Sequence, residues 1–576
     1  MYHLSILLWL PAAFAVLGLL VPSRTTRWVA VLGALLTLAL SVVLVLDFEA
    51  TGPALQHVTD ATWISALGVR YELALTGLNV WLALLATVGF AFSIVWAAMT
   101  SLGVDRRAKH VFFHLGIAQS AVLGALLAQD LILFVAFFDL MLIPFFFLTA
   151  QFGNGDRVPA TIKMIVYTLV GSLLMLVAAI AVGVLATPPG AEVSYSIQEI
   201  ARRGVPEGSQ GWLFACFAAA FLVKMPQFPI HGWLSDGYKA MPLPVLAVFS
   251  GVLSKVAVYG FLQIAIPLLP QGTADLRWIV LIVAVVSILY ASTVALTTFN
   301  ARLVLAYSSV AQLGFITLGV MSLRPDGASG ALLQSVNHGV AVFGAFLAVA
   351  ILGHRTGSED LRDMGGAATK APVFAVLFVI VTYAVLAMPG TANFIGEFLI
   401  LRGTWEGSAP ALAIVASIGV ALAAVYALRL FIRSSHNRVG PVIEPREGTR
   451  WELALLAVPV LLIIALAVHP QQTVEAADQA ATRSVLPAAA AVSPERARDI
   501  LADDPSAQAA AAAAQSAAGG SGAAGGAGGA GGSDAAGDAR TAGGADASGA
   551  AGSETAIDPA TGQPVDQTAQ TEGAGR

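Results

Sequence analysis

Five ionisable residues stand inside otherwise apolar stretches of this chain: Asp139 in LFVAFFDLMLIPFFFL, Lys224 in FLVKMPQFPIHGW, Lys255 in VFSGVLSKVAVYGFL, His338 in LLQSVNHGVAVFG and Glu397 in MPGTANFIGEF. A charged side chain at the centre of a membrane helix costs roughly 2.5–3.5 kcal/mol on insertion scales, so such residues mark ion paths or buried partnerships. Carboxyls, amines and an imidazole in a row are suited to proton exchange. A lysine releases its proton near neutrality only if the cation is destabilised by roughly 4.6 kcal/mol. One unit charge at 4 Å contributes about 4 kcal/mol at an effective dielectric of 20, so moving a carboxylate such as Asp139 toward or away from Lys224 would load or unload it. Histidine titrates close to physiological pH without tuning, which suits His338 to relaying. Each residue also has a structural reading: Asp139 as a hydrogen-bonded acid, Lys224 as a permanent bridge, Lys255 as a snorkelling cation, His338 as a bonded core imidazole. His231, Asp236 and Lys239 lie close after Lys224 and are candidates to support it.

Two helix interruptions position these groups. Lys224 is followed by Met225-Pro226 and Pro229, and Glu397 follows Met388-Pro389-Gly390. Non-helical backbone at membrane depth is tolerated only where protein or water covers the freed polar groups, so each break marks a site and not a plain span. Lys255 is expected on an unbroken apolar helix, with Gly251, Ser254 and Ala257 leaving space either for water or for close packing. No nucleotide-binding loop, zinc ligand set or nucleophile triad is present, and Ser308 and Ser309 lack a neighbouring base and read as interhelical hydrogen-bonding groups.

The whole chain fits a polytopic membrane protein: 576 residues, 57% hydrophobic and 11% charged, with mean hydropathy +0.79. A single cysteine, Cys216, excludes a disulfide framework within the chain. At about 20 apolar residues per crossing, spans are expected near 3–20, 27–48, 77–98, 111–128, 130–152, 161–186, 210–240 (broken), 243–268, 275–297, 301–321, 329–353, 373–403 (broken), 410–434 and 452–469. That gives an all-α fold of about fourteen helices. The blocks 111–270 and 271–436 each hold five helices with the break in the fourth; odd helix number makes them inverted repeats. Residues 1–110 precede them, 437–475 carry a last span, and 476–576 read as a disordered Ala/Gly-rich tail, the composition turning fully tail-like near Pro494 with a short helix at about 495–503. The segment 192–204 reads equally as a flat surface helix or a loop.

Arginine and lysine collect on one side, including Arg24, Arg27, Arg107, Lys109, Arg157, Arg302, Arg355 and Arg362, which places that side in the cytoplasm of a plasma (inner) membrane and both termini outside it.

Several strings together resemble the antiporter-like M-subunit family of NADH-quinone oxidoreductase, complex I: FFDLMLIPFFFL, KMPQFPIHGWLSDGYKAMP, SGVLSKVAVYG, RLVLAYSSVAQLGF, LLQSVNHG and MPGTANFIGEFLIL, in that order, over about residues 70–435. The resemblance implies a fourteen-helix proton-channel subunit of the membrane arm, with L- and N-type antiporter-like subunits and the lipid bilayer as partners and no nucleic acid. It implies no cofactor or metal in this chain; NAD, FMN, iron-sulfur clusters and quinone would belong to other subunits of the proton-translocating enzyme. By motif position, Asp139 and Lys224 stand for the family's glutamate-lysine pair, Lys255 for its central lysine, His338 for a connecting histidine and Glu397 for the terminal acid. The chain departs from the pattern at five positions. Asp139 replaces glutamate, Tyr238 replaces histidine, Ser235 and Ala240 replace proline and glutamate, and Gln312 replaces a usual histidine. Alternatives are a subunit of a multisubunit sodium/proton antiporter, of a membrane-bound hydrogenase-type complex, or a non-conducting scaffold.

Overall fold

A computed structural model describes residues 3–104, 107–407, 409–436 and 446–503. Among them, twelve helices are long and apolar enough to cross a membrane, from His3–Leu20 to Arg450–Val468. The two interrupted elements fall outside that twelve, so a count of fourteen depends on adding them. Burial sorts the bundle. Every residue in the most apolar stretch of Leu243–Leu268 is buried, against 22% for Arg450–Val468. The outer helix Arg157–Leu185 turns Ile162, Val166, Leu169, Val170, Leu173 and Val177 outward at helical spacing, as a lipid-facing stripe should.

Both expected breaks are present. Glu207–Lys224 stops at Lys224, and the chain resumes as Leu234–Ala240. Pro226 has no N–H to offer Leu222, and its ring crowds that carbonyl; Gln227 N–H bonds to Leu222 O instead, at 3.0 Å. The second element runs Pro372–Val385, opens over Leu386–Thr391, and continues as Ala392–Glu406. Pro389 acts in the same way on Val385, and Ala387 (φ 53°) and Gly390 (φ 95°) turn the chain in the left-handed region.

Three features differ from the sequence reading. The span at 130–152 divides at Met141 into Leu131–Leu140 and Leu142–Phe152, because Pro144 withdraws the bond to Leu140 O. The Lys255 helix is continuous but carries two π-turns, Phe249–Leu253 and Phe261–Ala265, on either side of the lysine. The all-α expectation is interrupted by one antiparallel hairpin, Gln56–Ile64 with Val69–Leu75, closed by Gly68 (φ 70°). Asp130 ties it to the bundle, accepting from the Arg70 N–H at 3.0 Å while capping Ile132 and Leu133.

The boundary of the tail at 476 is also corrected. Gln471–Val492 is one helix whose Ala476, Ala477, Ala481, Val485, Ala488 and Ala489 are buried. Its apolar side is built from alanine, which packs closely but contributes little to a hydropathy reading. Pro494–Asp503 follows as the expected short helix. The expectation of disorder for 504–576 lies outside the described residues. At 197–203 the helical alternative holds, with Ile197 and Ile200 buried.

Candidate functional site

Lys255 is the centre of the arrangement. Its Nζ lies 3.1 Å from His338 Nδ1, donates to Ser250 O at 3.0 Å and reaches Ser254 Oγ at 3.3 Å, and the lysine is only 1% exposed. Two glycines bring the helices together. A Cβ on Gly251 would meet the Phe343 ring at 2.3 Å, and one on Gly339 would come 2.8 Å from Gly251 O. Gly251 serves close packing, with Phe343 and the Gly339 helix against it. The π-turn ahead of Lys255 widens the helix and presents Ser250 O to the ammonium, a distortion often found at functional sites.

The contact limits how protons are held. Two cations 3.1 Å apart would repel by about 5 kcal/mol at an effective dielectric of 20, so the pair carries one extra proton at a time. Whichever nitrogen lacks the proton accepts from the other.

Lys224, 6% exposed, occupies the C-terminus of its own half-helix and also faces the end of Leu131–Leu140. Its Nζ donates to Phe138 O at 3.1 Å and stands 3.9 Å from the Phe138 ring centre. Carbonyls in the last turn of a helix lack intrahelical partners, and a cation satisfies them. Asp139 is next to this contact without sharing it: the lysine bonds the backbone, and Asp139 Oδ1 is buried with no hydrogen-bond partner. Asp139 and Lys224 are therefore neighbours and not a bonded pair.

Beside Lys224 lies a small void of about 10 Å³, lined by Lys224, Tyr238, Ser254, Thr168 and apolar groups. Its size is that of roughly one water, and its polar lining supplies the partners a buried water requires. Ser254 joins the void to Lys255.

Glu397, 3% exposed, sits in the second turn of Ala392–Glu406. Gln312 Nε2 donates to its Oε1 at 2.7 Å, and Gln334 Nε2 donates to Gln312 Oε1 at 2.7 Å. Gln334 is one helical turn before His338, so the amide chain runs from the Lys255–His338 pair toward Glu397. Asn337 Nδ2 holds Ala392 O at 2.8 Å and fixes the start of the half-helix.

The supporting residues divide. Pro226 and Pro389 make the breaks as described. Asp236 pairs with Lys163 at 2.9 Å on the surface, both side chains more than two-fifths exposed, and is not aimed at Lys224. His231 is set among Phe228, Tyr290 and Tyr307 with Nδ1 unpartnered, and Lys239 is exposed. Gln312 and Gln334 were not singled out as site residues from sequence; the i, i+4 spacing of Gln334 and His338 was the available signal.

Comparison with known proteins identifies relatives along most of the chain. Residues 128–423 match the family model described as NADH:quinone oxidoreductase/Mrp antiporter, transmembrane. The NADH-quinone oxidoreductase subunit M of Rhodobacter capsulatus is 32% identical over 484 residues, covering 81% of this chain and 93% of the relative. That of Mycobacterium tuberculosis is 32% identical over 515 residues, covering 82% and 92%. Among solved structures, a chain of respiratory complex I from Thermus thermophilus with bound NADH superposes with TM-score 0.76 at 30% identity, over 84% of this chain and 99% of that one. A chain of the Mrp complex from a Dietzia species gives TM-score 0.71 at 19% identity, over 83% and 52%, a likeness of fold.

Proposed function

The chain belongs to the NADH:quinone oxidoreductase/Mrp antiporter transmembrane family, and from that premise we propose how it works as a proton-translocating M-type subunit in the membrane arm of NADH-quinone oxidoreductase. A proton taken up at the first break resides on Lys224, crosses one water and Ser254 to Lys255, is shared with His338, and leaves by Glu397. The observation that carries this is the buried Lys255–His338 contact at 3.1 Å, a pair that holds one proton and passes it in either direction. Asp139, close to Lys224 but unbonded to it, biases the loading step through its charge. Other protons of the enzyme move through neighbouring subunits, which we take to be the L- and N-type antiporter-like chains. NADH, FMN, iron-sulfur clusters and quinone would act in other subunits of the enzyme, apart from the antiporter-like chains, so this chain would contribute translocation and not redox chemistry. The multi-pass fold lies in the plasma (inner) membrane with both termini outside the cytoplasm; the side rich in Lys and Arg supports that orientation.

Lys224→Ala and Glu397→Ala in the purified, reconstituted complex are expected to assemble and to lose most proton pumping per electron. An unchanged proton-to-electron ratio in both would overturn the relay. The sodium/proton antiporter alternative has behind it the shared family description and the Mrp likeness of fold, against relatives named subunit M at 32% identity, and sodium-dependent transport by vesicles would be its signature.

A further inference from the structure

The three groups Gln334, Gln312 and Glu397 form a directed chain. Gln334 gives its amide N–H to the Gln312 carbonyl, and Gln312 gives its N–H to Glu397, each at 2.7 Å. This leaves one group over. Gln334 Oε1 is buried and has no hydrogen-bond partner, and it lies against Gly396, where an added Cβ would come within 2.6 Å. Gln312 is 1% exposed and Gln334 is 0% exposed, so solvent does not satisfy it.

An ionised carboxylate only accepts, and the observed direction of both amides suits that state. A protonated Glu397 has an O–H to give. If both amides turn over, that O–H donates to the Gln312 carbonyl and the Gln312 N–H donates to the Gln334 carbonyl. The Gln334 oxygen then gains a partner, while the Gln334 NH2 takes its former place against Gly396, so what favours the turn is the acceptor that the Glu397 O–H finds and not a gain at Gln334. The proton stays on Glu397 throughout, and no amide gains or loses one. Other polar groups near the acid are Tyr426, close enough to feel its charge and bonded to Ser308 at 3.0 Å, and Asn393, whose side chain is buried and unpartnered. Neither joins the amide chain.

We propose that Gln312 and Gln334 are a reversible amide latch on Glu397: they point their N–H groups at the ionised acid and reverse together when it takes a proton. Gln312 and Gln334 are positioning residues, since neither amide carries an excess proton at neutral pH. The latch reports the state of Glu397 back to within one helical turn of His338, so a second proton is not passed while the first remains. This deepens the relay proposed above and rests on it.

The test uses the whole complex in liposomes. Gln312→Leu is expected to lower pumping per electron by about tenfold, the scale of losing a hydrogen bond to a charged group. Gln312→His, which keeps one donor and one acceptor, should restore most of it. Gln334→Leu should cost less, and adding it to Gln312→Leu should cost nothing more, because the chain is already cut. Infrared difference spectra of glutamine-labelled complex across a pH jump should show an amide band change that disappears in Glu397→Gln and in Gln312→Leu. A band that persists in Glu397→Gln, or wild-type pumping by Gln312→Leu, overturns the latch. If Gln312→Leu fails to assemble, Gln334→Leu decides through the same band. Lys255→Ala separates the two ideas: if it stops pumping while Gln312→Leu does not, the relay stands and the latch falls.

Discussion

The two interrupted helices hold their ionisable residues at opposite ends of the break. Lys224 is the last residue before the first break, whereas Glu397 lies in the second turn after the second. Helix C-termini carry partial negative charge and N-termini partial positive charge, so each residue has the sign its half-helix favours. The match is unequal in strength. Lys224 meets two C-termini at once, its own and that of Leu131–Leu140, through Phe138 O. The dipole fades within the first turn, so Glu397 receives little from it. A side-chain amide, Gln312, supplies the donor there instead. Backbone therefore holds the entry cation, and a side-chain network holds the exit acid. A backbone site is fixed by the fold, whereas a side-chain chain can turn over.

The harshest way to break that contrast is to reverse the charge at the backbone site. Lys224→Glu would put an anion against two helix C-termini and the face of Phe138, with no partner for it. An uncompensated buried charge costs about 3–5 kcal/mol. The subunit is expected to be lost from the complex, measured by its retention after detergent extraction and by the melting temperature of the membrane arm. Stable assembly with this substitution would mean that helix ends do not set the site.

A smaller effect comes from the seam between the halves. Gly251→Ala drives a Cβ toward Phe343 at 2.3 Å, and overpacking of this kind typically costs about 1–3 kcal/mol. Relief by separating the two helices also separates Lys255 from His338. Pumping per electron should fall several-fold, on the order of what a 1 kcal/mol change in a transfer barrier gives, while both breaks keep their geometry. Equal pumping with a lowered melting temperature would show that Phe343 yields without disturbing the relay.

These particulars also show what the sequence could and could not convey. Lys224, Lys255, His338 and Glu397 stood out because a charge in an apolar run has no bland composition to hide in. Proline placed both breaks correctly, since its missing N–H acts locally. The π-turns beside Lys255 had no such local marker; the first carries Gly251, which packs against Phe343 on another helix. Asp236 follows Lys224 closely in sequence yet faces Lys163 at the surface, because the direction of a side chain after a break depends on the path of the irregular backbone. Gln312 and Gln334 escaped as site residues because amides are ordinary in membrane helices, and only their alignment on Glu397 gives them a role. The helix Gln471–Val492 resembles tail from residue 476 onward in composition, since an alanine face buries well yet contributes little hydropathy.

The mildest test sharpens the contrast at Asp139. In this chain the acid is one methylene short of the family's glutamate, its Oδ1 is buried without a partner, and Lys224 bonds the Phe138 carbonyl. Asp139→Glu extends the carboxyl toward the ammonium while keeping charge. A direct ion pair would compete with the backbone contact and hold the proton on Lys224 more firmly. Loading should then gain and release should lose, so turnover is expected to change by no more than about threefold, less than 1 kcal/mol of barrier. The informative measurement is the solvent isotope effect on pumping by the reconstituted complex. It should rise if release from Lys224 has become the slower step. An unchanged isotope effect with unchanged turnover would mean that Asp139 acts on Lys224 only through its field, and that the entry site depends on backbone alone.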